Sequence, residues 1–110
     1  VLYGHTIHLN SSSKAYFYTS IFAPAELTAT MVHHWQYYDR QEKEWLSVDK
    51  LSFEIEGGRQ AGYKGYSFKS NLLPGAWRIY VENERGQVLG RIKFNVEISE
   101  RQPYLKETIR

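Results

Sequence analysis

The stretch from Leu72 to Val96, LLPGAWRIYVENERGQVLGRIKFNV, restricts the fold more than any other part of this chain, because it holds two alternating segments and the turn between them. In the first arm Trp77, Ile79 and Val81 alternate with Arg78, Tyr80 and Glu82. In the second, Val88, Gly90, Ile92, Phe94 and Val96 alternate with Leu89, Arg91, Lys93 and Asn95. Successive side chains leave a strand on opposite faces, so a period of two marks a half-buried antiparallel strand. Gly86 between the arms supplies the positive φ that a short hairpin loop needs, and Pro74-Gly75 before them is a turn dipeptide. The segment predicts a hairpin, and with it an all-β fold.

The remainder of the chain reads in the same way. Tyr3 to Leu9 is a first strand, Asn10 to Ser13 a polar turn, and Lys14 to Phe22 a second strand with Ala15, Phe17, Thr19 and Ile21 on one face and Tyr16, Tyr18, Ser20 and Phe22 on the other. Its pattern leaves open which of those faces is the inner one. Thr28 to Asp39 sets Met31, His33, Trp35 and Tyr37 together, and we expect Trp35 to point inward, with Trp77 approaching from an opposing or neighbouring strand. Glu44 to Glu56 alternates first through Leu46 and Val48 and then through Leu51, Phe53 and Ile55. One extra residue reverses the faces of a strand, so this slip of phase predicts a β-bulge near Asp49-Lys50. Gln60 to Ser70 is another strand, whose Gly62 and Gly65 point to an edge, a bulge or a close approach. Seven strands, regularly spaced turns and no helical periodicity describe an immunoglobulin-like antiparallel β-sandwich over residues 1–98. Residues 99–110, with their charges and Pro103, read as a charged C-terminal extension with room for a short helix from Tyr104.

Charge and composition remove several classes of function. Fourteen Lys and Arg against 12 Asp and Glu leave a net charge of +2, dispersed along the chain, which argues against a nucleic-acid partner. No apolar run approaches the roughly 18 residues of a membrane-spanning helix, and no signal peptide is recognisable, so the fragment is expected to be soluble and not to span a membrane itself. A first residue that is Val1 rather than Met leads us to expect a piece of a longer protein. Cysteine is absent, which removes disulfides and thiolate chemistry.

The polar residues make no recognisable catalytic or metal-binding set. His5 and His8 fall on opposite faces of a strand, as do His33 and His34, so no shared metal is expected. Ser67 lies in a strand and not in a Gly-x-Ser-x-Gly elbow. The carboxylates fall in charged turns or on alternating faces, so we expect no enzyme and no cofactor. What stands out is 9 Tyr, 5 Phe and 3 Trp. Sheet packing accounts for many of them. If Phe17 and Ile21 face the core, however, Tyr16, Tyr18 and Phe22 form an exposed row able to anchor a protein or stack on sugar rings. Tyr37, Tyr38, Trp45, Tyr63 and Tyr66 are available to extend either surface.

The combination of His33-His34-Trp35 and Tyr37, then Tyr66-Ser67-Phe68-Lys69, then Pro74-Gly75-Ala76-Trp77-Arg78-Ile79, and finally Gly86, Leu89, Phe94 and Val96 resembles bacterial domain-of-unknown-function family 2914. The resemblance covers about residues 30 to 98. It implies a small β-sandwich that forms a terminal domain of a longer, membrane-anchored bacterial protein, and it brings no activity with it. The positions it offers for a functional polar cluster are His33, Ser67, Lys69 and Arg78. Taken together, the sequence leads us to expect a non-catalytic accessory domain that binds another protein of the cell envelope, with a carbohydrate-binding module as the alternative. The side of the membrane is left open.

Overall fold

A computed structural model of the chain describes residues 2–9, 14–22, 28–56, 63–99 and 102–108. It is all-β, with no helix among these residues. The strands are β1 (Leu2–Leu9), β2 (Ala15–Phe22), β3 (Thr28–Asp39), β4 (Glu44–Glu56), β5 (Tyr63–Lys69), β6 (Gly75–Asn83), β7 (Val88–Ser99) and β8 (Gln102–Thr108). Every pairing is antiparallel. One sheet has the order β1-β2-β5 and the other β4-β3-β6-β7-β8, so the chain crosses between sheets after β2, β4 and β5.

The expected hairpin is β6–β7, and its turn is built by one side chain. Asn83 Oδ1 accepts the backbone N–H groups of Arg85 at 2.9 Å and Gln87 at 3.0 Å, while Gly86 takes φ +81°. A β-carbon disfavours that conformation, which is why glycine stands there. On the other side of β6, β3 pairs along Met31–Tyr37 and so brings Trp35 opposite Ile79 and Tyr37 opposite Trp77. The phase slip in β4 is a bulge: Trp35 faces Asp49 and Gln36 faces Ser47, leaving Val48 as the extra residue. A second bulge, not signalled by the alternation, leaves Leu89 unpaired opposite the Val81–Glu82 step. Val88 and Leu89 are both exposed as a result.

Inward side chains of the two sheets meet in one core. Met31 and Trp35 from β3, Trp77, Ile79 and Val81 from β6, and Ile92, Phe94 and Val96 from β7 face Ala15, Phe17 and Ile21 from β2. The phase left open in β2 is thereby decided, with Phe17 completely buried. Trp35 meets Phe94 edge-on at 6.4 Å, and Trp77 lies nearly parallel to Phe94 at 6.5 Å. Burying a Trp also buries an N–H that needs an acceptor. Trp77 Nε1 donates to Leu73 O at 2.9 Å, and the neighbouring Tyr37 hydroxyl donates to Pro74 O at 2.6 Å. Gly65 shows the close approach anticipated for β5, since a β-carbon there would lie 2.3 Å from the Phe53 ring reaching over from β4.

The tail differs from expectation. Residues Gln102–Thr108 are neither an unpaired extension nor a helix but an eighth strand, in register with Lys93–Ser99 of β7. Its position at the end of the sheet order explains how a charged, proline-containing segment is accommodated, because an edge strand tolerates a residue that cannot donate to a ladder.

Candidate functional site

The residues singled out in the sequence fall in three places. The first lies between the sheets, where alternation turns His33 inward and leaves it with no exposed surface. Around it, Trp35 Nε1–H donates to Ser67 Oγ at 2.9 Å, His33 Nδ1 and Ser67 Oγ are 2.7 Å apart, and His33 Nε2 and Thr19 Oγ1 are 3.0 Å apart. The indole nitrogen can only donate, so Ser67 Oγ accepts from Trp35, and its proton and second lone pair let it meet His33 Nδ1 in either sense. In both neutral tautomers of His33 each of the three bonds has a proton and an acceptor. The chain of bonds ties β3 of one sheet to β2 and β5 of the other. Phe17 and Phe53 close over the imidazole edge-on at 4.8 and 4.9 Å. Burial pushes the His33 pKa down to about 4, so the ring is neutral at ordinary pH.

Serine and histidine at this separation are spaced like a nucleophile and its base. Here, however, Ser67 is 5% exposed and His33 0%, and neither has a carboxylate partner among the described residues. The arrangement can hold two sheets together. In this conformation the Ser67 hydroxyl and the His33 ring are both buried.

The second place is the outer face of the three-stranded sheet. With Phe17 inward, Tyr16 and Tyr18 point outward, and the register pairs Tyr16 with Phe68 and Tyr18 with Tyr66 on β5. Four rings therefore share one face. Their centroids lie 6.2 Å apart for Tyr16–Tyr18, 5.8 Å for Tyr18–Tyr66 and 5.5 Å for Tyr16–Phe68. Tyr18 is 42% exposed, Tyr66 60% and Phe68 45%, while Tyr16 between them is half-buried. The Lys14 ammonium sits 4.9 Å above Phe68. The side chain of Phe22, the third member of the expected row, lies outside the described residues, as do those of Tyr63, His5 and His8. Phe68 was not anticipated. The signal for it was the alternation Tyr66-Ser67-Phe68, which puts both rings out once Ser67 is in.

The third place is the outer face of the five-stranded sheet, where Arg78 lies. The four positions His33, Ser67, Lys69 and Arg78 are thus not one cluster. The first two meet in the core. Lys69, at the end of β5, pairs with Asp49 of β4 at 3.1 Å across the edge of the sandwich. Arg78 points away from all three, its guanidinium carbon 4.2 Å from the Trp45 ring centroid and 4.6 Å from that of Tyr80, with Nε donating to Gln36 Oε1. Beside it His34 Nδ1 donates to Glu82 at 3.0 Å, and the Ser47 hydroxyl lies 2.7 Å from His34 Nε2. This outward network was missed because its members pair across β3, β4 and β6, far apart in sequence.

No group of three or more His, Asp or Glu able to hold a metal occurs among the described residues. An open concavity of about 860 Å³ at one end of the sandwich is lined by Tyr37, Tyr38, Asp39, Arg40, Pro74 and Glu97 among others; it takes in two of the rings available to extend a surface, Tyr37 and Tyr38, but none of Tyr16, Tyr18, His33, Ser67, Lys69 and Arg78. No helix among the described residues is long and apolar enough to cross a membrane.

No curated protein and no solved structure matches the chain. A family model does, over residues 28–96, a span that takes in β3 to β7, the buried His33–Ser67 pair and the Arg78 face, but only Tyr66 and Phe68 of the aromatic face. The chain belongs to that family, described as a protein of unknown function, DUF2914.

Proposed function

We propose that this immunoglobulin-like sandwich is a non-catalytic interaction domain of a larger, membrane-anchored bacterial protein, and that it binds a protein partner through the outer face of its three-stranded sheet. The observation that carries the reading is the set of four rings from Tyr16, Tyr18, Tyr66 and Phe68, adjacent on one open face with three of them more than 40% exposed. Water contact with so much ring surface is unfavourable by roughly 25 cal/mol per Å² of apolar area. Tyrosine suits such a surface because it brings a large rigid contact area and a hydroxyl that stays hydrated at the rim. The strand order supports the immunoglobulin-like description: the first, second and fifth strands share one sheet, and the third, sixth and seventh share the other. The membrane-anchored context rests on the family resemblance.

One observation favours a carbohydrate ligand as the second reading. The ring planes of Tyr16 and Tyr18 lie within 15° of each other and those of Tyr18 and Tyr66 within 28°, a near-parallel set on which sugar rings could stack. The two readings separate experimentally. Tyr66 is replaced by the photocrosslinker p-benzoylphenylalanine in cells, and the crosslinked products are compared with those from the same probe at Glu84, in the exposed β6–β7 turn. The protein reading predicts a discrete protein adduct at the first position that is absent at the second and lost on adding Tyr18→Ala. Polysaccharide retention abolished by Tyr18→Ala, with no protein adduct, would establish the carbohydrate reading instead. Neither adduct nor retention would defeat both.

A further inference from the structure

The outer face of the five-stranded sheet carries a second surface, opposite the aromatic face and independent of the reading above. Register sets Gln36 beside Ser47 and Arg78, Arg78 beside Lys93, and Tyr80 beside Arg91. The long side chains converge above the sheet. The Arg78 guanidinium lies 4.2 Å from the Trp45 ring centroid, and the Lys93 ammonium, from two strands beyond β3, lies 6.0 Å from the same ring. Partial burial, and then the like charge of Arg91, push the Arg78 pKa below its ordinary value against an opposing pull from Tyr80. Three cations thus face one region of the sheet. Among the described residues none of them has an ion-pair partner, and the nearby acid, Glu82, is taken by His34.

Arg78 is also held in place. Its Nε donates to Gln36 Oε1, the Gln36 amide packs 3.3 Å from His34 Nδ1, and His34 is anchored between Glu82 and Ser47. His34 and Gln36 are each only 8% exposed although they lie on an outward face. Ordering a side chain as long as arginine sacrifices about 2 kcal/mol of rotamer freedom. Yet the terminal amino groups of this fork have no hydrogen-bond partner among the described residues. A planar guanidinium clamped between two rings, with its outer edge unused and further cations beside it, is arranged for a planar anion.

We infer that this face binds a carboxylate-rich segment of a protein partner, with Arg78, Lys93 and Arg91 receiving its carboxylates and Trp45 with Tyr38, 5.2 Å apart, supporting its apolar atoms. Charge complementarity selects an acidic occupant. The cations form a compact group and not the extended track that follows a nucleic-acid backbone, and the net charge of +2 would add little non-specific affinity.

The test is a titration of the full 110-residue chain with a hexaglutamate peptide, followed by the Trp45 indole and Arg78 Nε–H NMR signals. Hexalysine, an oligogalacturonate and an oligothymidylate serve as the comparison probes. Saturable binding of hexaglutamate with shifts confined to this face is expected. Arg78→Lys, which keeps the charge and loses the fork, should weaken it about tenfold, the equivalent of one good charge-assisted bond. Lys93→Gln, which leaves the packed groups in place, should weaken it several-fold. Arg40→Gln, an equal loss of charge in the exposed β3–β4 turn, and Tyr66→Ala, on the opposite face, should change it by less than about twofold. The inference is overturned if binding does not saturate, or if Arg40→Gln acts as strongly as Lys93→Gln. Tighter binding of the oligogalacturonate or the oligothymidylate at the same residues would overturn it as well.

Discussion

Acidification should weaken this fold through one residue, His33. Its ring has no exposed surface, and burial holds its pKa at about 4, against an ordinary 6.5. Between those two pH values the unfolded chain carries a proton on His33 that the folded chain does not, so stability rises with pH across that window. The contribution is complete above about pH 6.5 and is lost as pH falls to about 4. Each pKa unit is worth roughly 1.4 kcal/mol, so the full loss is about 3 kcal/mol. That is a large part of what a domain of this size has. His33→Phe isolates the effect, since a phenyl ring fills the space between Phe17 and Phe53 and cannot titrate. At pH 7 the variant should be less stable by about 1–3 kcal/mol, because Ser67 and Thr19 lose their histidine partner. By pH 4 the difference from the wild type should have shifted in the variant's favour by about 3 kcal/mol. Urea unfolding of both proteins at several pH values measures it directly. Parallel stability curves from pH 7 to 4, or an NMR titration placing His33 near 6.5, would refute the reasoning.

Other substitutions probe the packing. Trp35→Ala, and separately Trp77→Ala, should each lower stability by about 3–5 kcal/mol, read as the shift in urea midpoint, because each empties a site bordering Phe94. Gly65→Ala should cost about 1–3 kcal/mol, since its new β-carbon would overlap the Phe53 ring. Phe53→Leu should recover much of that loss in a double-mutant cycle, and an additive pair would contradict the contact. Lys69→Ala should cost no more than about 1 kcal/mol, and less in high salt, because its partnership with Asp49 is solvent-screened.

What could be read from the sequence was what local alternation encodes. The period of two located β1 to β7, the phase slip announced the bulge that falls at Val48, and parity put Met31, His33 and Trp35 on one inward face. Local pattern could not choose the phase of β2, because both faces carry large hydrophobic side chains, Phe17 and Ile21 on one and Tyr16, Tyr18 and Phe22 on the other. That choice is made by the partner sheet, where His33 shares a hydrogen bond with Thr19 and packs edge-on to Phe17. β8 escaped notice because an edge strand is built from residues that discourage pairing on its open side, here Pro103 and several charges. The candidate sites follow the same division. Tyr16 and Tyr18 were visible as a row, whereas their pairing with Phe68 and Tyr66, the His33–Ser67 bond and the His34–Glu82 contact all join residues at least 34 positions apart. Such contacts depend on which strands become neighbours, and that is a property of the whole chain.

The measurement that bears most directly on the proposed role is hydroxyl-radical footprinting of Tyr16, Tyr18, Tyr66 and Phe68, performed on the isolated chain and on the protein in intact cells. An interaction face predicts rapid oxidation of Tyr18, Tyr66 and Phe68 in the isolated chain and strong protection in cells, while the exposed Leu73, away from that face, is oxidised alike in both. Equal oxidation of the four rings in the two settings would show that nothing covers them, and would contradict the assignment of this face as the binding surface.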